Sequence, residues 1–111
     1  MTAGAVALAV PVGGLLWGVA EARAYAVRHA KAAPAGALKA PVRVLHISDV
    51  HLVPSQRAKR HWVRSLESLE PDLVVVTGDL LAHRDAVKPV LDALGGLLHR
   101  PGVFVLGSND Y

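Results

Sequence analysis

Three short runs rich in β-branched residues, VRVLHI (42–47), DLVVVTGD (72–79) and VFVL (103–106), are separated by two stretches whose apolar residues recur at helical spacing. This alternation restricts the fold more than any other feature of the chain. Strands joined by helical crossovers run parallel, with right-handed connections, so the expected class is α/β in the order strand, helix, strand, helix, strand. In SQRAKRHWVRSLESLE (55–70), Trp62, Val63, Leu66 and Leu69 share one helical face, with Arg60, Arg64, Glu67 and Glu70 turned outward. In DAVKPVLDALGGLLHR (85–100), Val87, Val90, Leu91, Leu94, Leu97 and Leu98 are expected to do the same. Pro89 then has to sit in the first turn, and Gly95-Gly96 breaks or bends the helix.

Parallel strands end on one edge of their sheet, and α/β proteins place their sites on that edge. The segments that follow the three strands are SDVH (48–51), TGD (77–79) and GSND (107–110). Asp49 and His51 are two residues apart. They share a face if the strand continues, and can turn toward one point if the chain loops there. Asp79 arrives from the neighbouring strand, where Gly78 lets the backbone pass close to a bound ion. Asn109 adds a neutral oxygen donor, which binds a cation without further negative charge. Taken singly, Asp49 and Asp79 read as turn or helix caps. Together with His51 and Asn109 they read as a metal site. A mixed Asp, His and Asn set suits Mn, Fe or Zn better than Mg or Ca alone.

The other histidines read differently. His46 lies within a strand and is expected to be packed or hydrogen-bonded, and His83 to be a solvated rim residue. His61 and His99 fall on helix surfaces. The basic run Arg57, Lys59, Arg60 and Arg64 reads as a solvated helix face.

About half of the 111 residues are apolar, enough for one modest domain. The chain has no cysteine, which excludes disulfides and thiolate metal ligands. A formal net charge of +3, spread along the chain, gives no argument for a nucleic-acid partner. Residues 3 to 20, AGAVALAVPVGGLLWGVA, carry no charge. They read as a membrane helix near the lower length limit, since no cation precedes Glu21 as a secretory signal would require. An Ala-rich leader is the plainer alternative. Arg23, Arg28, Lys31, Lys39 and Arg43 follow the run, so a domain anchored by it would face the cytoplasm. AEARAYAVRHAK (20–31) suits a helix leaving the membrane. The divisions are thus an N-terminal segment (1–31), a Pro- and Gly-bearing linker (32–41) and a folded domain from Val42 to Tyr111.

Asp49-Val50-His51, Gly78-Asp79 and Gly107-Ser108-Asn109-Asp110, each after a strand, resemble the successive signatures of the calcineurin-like metallophosphoesterases. The resemblance covers residues 42–111. It implies the first half of that family's layered α/β fold and metal-dependent hydrolysis of phosphate esters. It further implies two divalent or trivalent ions, with Asp49 and His51 on one, Asp79 bridging both, and Asn109 on the second and on phosphate. The chain differs from the family in an extra Ser108 and in Asp110, which stands where the general-acid histidine would follow the Asn. Asp110 and Asn109 are the candidate catalytic residues, with Asp110 holding a water or donating a proton. The apolar leader resembles that of the family's membrane-associated branch.

The family's later histidines would fall beyond Tyr111. On that ground these residues are expected to form an N-terminal portion of a larger enzyme, with one face of the sheet uncovered. The alternatives to a two-metal phosphoesterase are a metal-binding portion without catalysis and a membrane-anchored interaction module in which the Asp residues only cap turns.

Overall fold

The computed structural model describes residues 3–33, 36 and 38–111, with side chains of the first helix from Val12 onward. The chain divides into two units, Met1–Lys31 and Ala32–Tyr111.

In the first unit α1 spans Ala3–Ala22. It ends in tight turns in which the Arg23 amide donates to the Ala20 carbonyl and the Ala24 amide to that of Glu21. The helix expected through Lys31 therefore stops about nine residues early. From Val12 to Ala33 the described side chains are exposed apart from the half-buried Tyr25. Val12 to Ala22 are as exposed and yet helical, so the turns after Ala20, not a difference in packing, mark the end of the helix. Among the described residues no helix is long and apolar enough to cross a membrane. The run expected to span it, residues 3 to 20, lies in large part outside the described side chains, and the linker expected over 32–41 also includes undescribed positions.

The second unit is α/β, as the alternation predicts. Strands β1 (Val44–Ile47), β2 (Leu73–Val76) and β3 (Gly102–Phe104) form one parallel sheet in the order β1-β2-β3. Val44 pairs with Leu73, and Val74 with Gly102. Between the first two strands lie α2 (Arg57–Ser65) and a 3-10 turn at Leu66–Leu69; between the last two lie α3 (Val87–Leu94) and a 3-10 turn at Leu97–His99. Glu70, left-handed at φ 49°, ends the first crossover, and the buried Pro71 prevents its continuation.

Strand alternation decides the core. Leu45, Ile47, Val74 and Val76 point to the covered face, where Val63, Leu66, Val90, Ala93, Leu94 and Leu97 meet them. Among the described residues no polar or charged side chain is buried. The first crossover packs as its periodicity predicts. The second does so in part: Val90, Leu94 and Leu97 are buried as expected, but Val87, Leu91 and Leu98 are exposed, and Ala86 and Ala93 are buried in their place. The reason is that α3 packs against α2. Small Ala side chains permit that close approach, and Gly95 stops the helix before Leu98 can share its face.

The opposite face of the sheet is open. Among the described residues Val44, His46 and Val103 are exposed there, and Phe104, on the other face of β3, is exposed as well. Strand β3 begins one residue earlier than expected because Gly102 lies against the Val74 carbonyl, where a Cβ would clash.

Candidate metal centre

The backbone pairing of β1 and β2 does not stop where the strands end. The Thr77 amide donates to Ile47, Asp49 to Gly78, His51 to Asp79, and Leu52 to Leu80, at 2.8–3.0 Å. The Ala82 amide returns the bond to the Leu52 carbonyl, and Leu52, 1% exposed, plugs the core behind the loop. Two loops that sequence order leaves 29 residues apart are thereby laced together. None of these rungs shows in composition or periodicity. The apolar Leu52 directly after a polar loop was the one available signal.

Local conformation aims the side chains. Among the described residues four non-glycine residues have positive φ, and three of them are Asp49 (54°), His51 (45°) and Asp79 (51°). Asp and His enter this left-handed region more readily than most residues. The loop geometry, not a continued strand, is therefore what turns Asp49 and His51 to one point. Gly78 has φ 99° and is crowded as well: a Cβ there would stand 2.5 Å from the Gly107 nitrogen.

One ligand atom from each of Asp49, His51 and Asp79 falls within 4.8 Å of the others. Asp49 is exposed, and His51 and Asp79 are half-buried. The Ser48 hydroxyl donates to Asp49 Oδ2. His51 Nε2 lies 3.8 Å from Asp49 Oδ1, while Nδ1 lies 3.1 Å from the Asn109 side-chain nitrogen. In this contact the amino group donates and Nδ1 accepts, so the neutral ring carries its proton on Nε2, facing the carboxylate; turning the Asn109 amide so that its oxygen accepts from Nδ1–H frees Nε2 for a cation. The Asn109 amide donates to Asp79 Oδ1 at 3.0 Å, and Ser108 Oγ lies 3.4 Å from the same oxygen. Two carboxylates held this close repel one another unless a cation lies between them. Hard oxygens with one borderline imidazole suit a first-row divalent cation, so the residues present fit a metal.

The structure thus brings together Asp49, His51, Asp79 and Asn109. Asp110 is placed differently. Its Oδ1 accepts from the Leu80 and Leu81 amides at 2.8 and 3.0 Å, and Oδ2 from Gly107 at 2.9 Å. Burial pushes its pKa up, but the backbone donors Gly107, Leu81, Leu80 and Asp79 outweigh that and hold it below the usual carboxylate value. A carboxylate kept ionised and occupied by amides is poorly suited to donating a proton.

The remaining histidines lie elsewhere. His46 Nε2 is 2.8 Å from Thr77 Oγ1, the hydrogen-bonded strand histidine expected. His83 caps the 3-10 turn Arg84–Ala86 by accepting from the Asp85 amide, and it is exposed. His61 and His99 are exposed.

Comparison with known proteins concerns the same part of the chain. The sequence model of the calcineurin-like phosphoesterases matches residues 42–111. A Bos taurus transmembrane protein with metallophosphoesterase domain is 35% identical over 74 residues, covering 63% of this chain. The chain spans 17% of the length of that relative. No solved structure matches. With its signature loops assembled at the carboxyl edge of a parallel sheet, the chain belongs to the calcineurin-like phosphoesterase family.

Proposed function

We propose that the domain to which residues 42–111 belong hydrolyses phosphate monoesters or diesters at a dinuclear metal site. The observation that carries this reading is the convergence of ligand atoms from Asp49, His51 and Asp79 within 4.8 Å at one sheet edge. In this reading Asp49 and His51 would hold one cation, Asp79 would serve both, and Asn109 would serve the second and help orient phosphate. Mn, Fe or Zn ions in such a site supply Lewis acidity toward the phosphoryl oxygens. The chain's own residues fix the geometry: Asn109 steadies the His51 ring, and the amide of Asn109 steadies Asp79.

The domain is proposed to act beside a membrane. The transmembrane relative and the uncharged run of residues 3–20 support an anchor, and the basic residues after Ala20 favour a cytoplasmic domain. A reporter active only in the cytoplasm, fused after Tyr111 in cells, should be active; activity of an export-dependent reporter would reverse the orientation.

The catalytic reading is tested on the full natural chain loaded with Mn. Chelation should remove turnover of an aryl phosphomonoester and an aryl phosphodiester, and Asp79→Asn should abolish it. Full metal-dependent turnover in Asp79→Asn would reject the bridging role. Stoichiometric metal without turnover of either ester would favour a metal-binding module without catalysis.

A further inference from the structure

Asp110 is the one carboxylate at the site edge that faces neither the ligand cluster nor solvent alone. One of its oxygens binds two successive amides just after Asp79, and the other binds the amide that opens its own loop. The two loops it spans already touch. Gly78 leaves no room for a Cβ beside Gly107, and Gly107 leaves none beside the Asp79 carboxylate. Asn109 stands between the two points of attachment and reaches Asp79 through its amide and His51 through its side chain. The loops after β2 and β3 are joined beyond their strands mainly through this carboxylate and the Asn109 amide. Both are bonds between segments about 30 residues apart.

We propose that Asp110 is a positioning residue, a three-amide brace that clamps the loop after β3 onto the loop after β2 and so holds Asn109 against Asp79 and His51. The role rests on the metal reading only in its consequence for metal affinity. A carboxylate is required because all three partners are donors. In Asp110→Asn one acceptor becomes an NH2 group, which must face either Gly107 or the Leu80–Leu81 pair. One side of the brace then opens while the side-chain volume is unchanged.

The test uses the full natural chain and native-state hydrogen exchange, read amide by amide without metal. In the wild-type protein the amides of Leu80, Leu81, Gly107 and Asn109 should open together as one unit. In Asp110→Asn, protection should fall about tenfold at Asn109 and on whichever side of the brace meets the NH2 group. The Asn109 amide discriminates, because it donates to Asp79 and not to Asp110. The Kd for Mn should rise about 10–100-fold, as for partners that orient ligands from behind. Unchanged Asn109 protection in Asp110→Asn, or independent exchange of the four amides in the wild-type protein, overturns the proposal. If Asp110→Asn does not fold, the wild-type exchange pattern decides alone. Failure of the wild-type protein to bind Mn would overturn the metal reading, while the exchange pattern would still decide the brace. Loss of Mn in Asp79→Asn with the Leu80, Leu81 and Gly107 amides still protected would separate the two roles.

Discussion

The helix-covered face of the sheet and its carboxyl edge are built from the same three strands on opposite terms. The face is wholly apolar, with Ile47, Leu66, Val74 and Leu94 between 4% and 7% exposed. The edge gathers two carboxylates and an imidazole on left-handed backbone, close enough for the carboxylates to repel. Burial of apolar area stabilises the first, while left-handed backbone and like charge at the second act against stability. The difference teaches that folding and binding should be separable here by mutation. Only residues on the line between the two regions should disturb both.

That separation can be broken from the binding side first. His51→Ala should lower Mn affinity more than about 100-fold, beyond the effect typical of outer partners. Its unfolding free energy should fall by only about 1 kcal/mol, from the lost Asn109 contact and the poorer fit of Ala to the left-handed backbone. Calorimetric titration and chemical denaturation measure the two quantities, and a large stability loss would show that the edge also holds the fold together. Leu94→Ala approaches from the other side. It should cost about 2–5 kcal/mol of stability while leaving the Mn affinity of the folded fraction unchanged. Weakened affinity in that fraction would mean that α3 packing reaches the loops.

Gly78→Ala tests the line between the regions. Its positive φ and its approach to Gly107 should cost about 1–3 kcal/mol, with weaker Mn binding as well. An effect on stability alone would count against close contact of the loops as a requirement for the site. Lys59→Met should have the smallest effect. Lys59 reaches from α2 to donate to the Val50 carbonyl, between Asp49 and His51, at 3.0 Å. Losing that anchor should weaken Mn binding by about tenfold or less. No change in affinity would leave the backbone rungs to Gly78 and Asp79 as sufficient support for the first loop.

Part of this was legible in the residues. Val44–Ile47 and Leu73–Val76 form strands where β-branched runs predicted them, within two positions except at the end of the second, which stops three residues before the run does. Pro89 lies in the first turn of α3, and Gly95 closes it. The second crossover was legible in part, since Val90, Leu94 and Leu97 are buried at their predicted spacing. Periodicity placed Val87, Leu91 and Leu98 on the inner face because it reports which residues align along a helix but not which side meets a neighbour. Contact with α2 chose the side bearing Ala93. Residues 23–31 leave the helix at the turns after Ala20, an end that their helix-forming composition does not mark.

The candidate site divides in the same way. Residue types and their order after each strand determined that Asp49, His51, Asp79 and Asn109 would reach one edge, because parallel strands leave no other choice. Local sequence could not say whether Asp49 and His51 would lie along a strand or turn together, nor that Asp110 would face inward to three amides. Those outcomes depend on hydrogen bonds between segments about 30 residues apart, such as Asp49 to Gly78 and Leu80 to Asp110. Propensity and periodicity are properties of neighbours in the chain, so the sequence alone determined the elements, their order and the ligand chemistry. The direction of each loop and the role of Asp110 were decided only when the backbones of β1, β2 and β3 came into register, because each donor found its acceptor across the sheet edge.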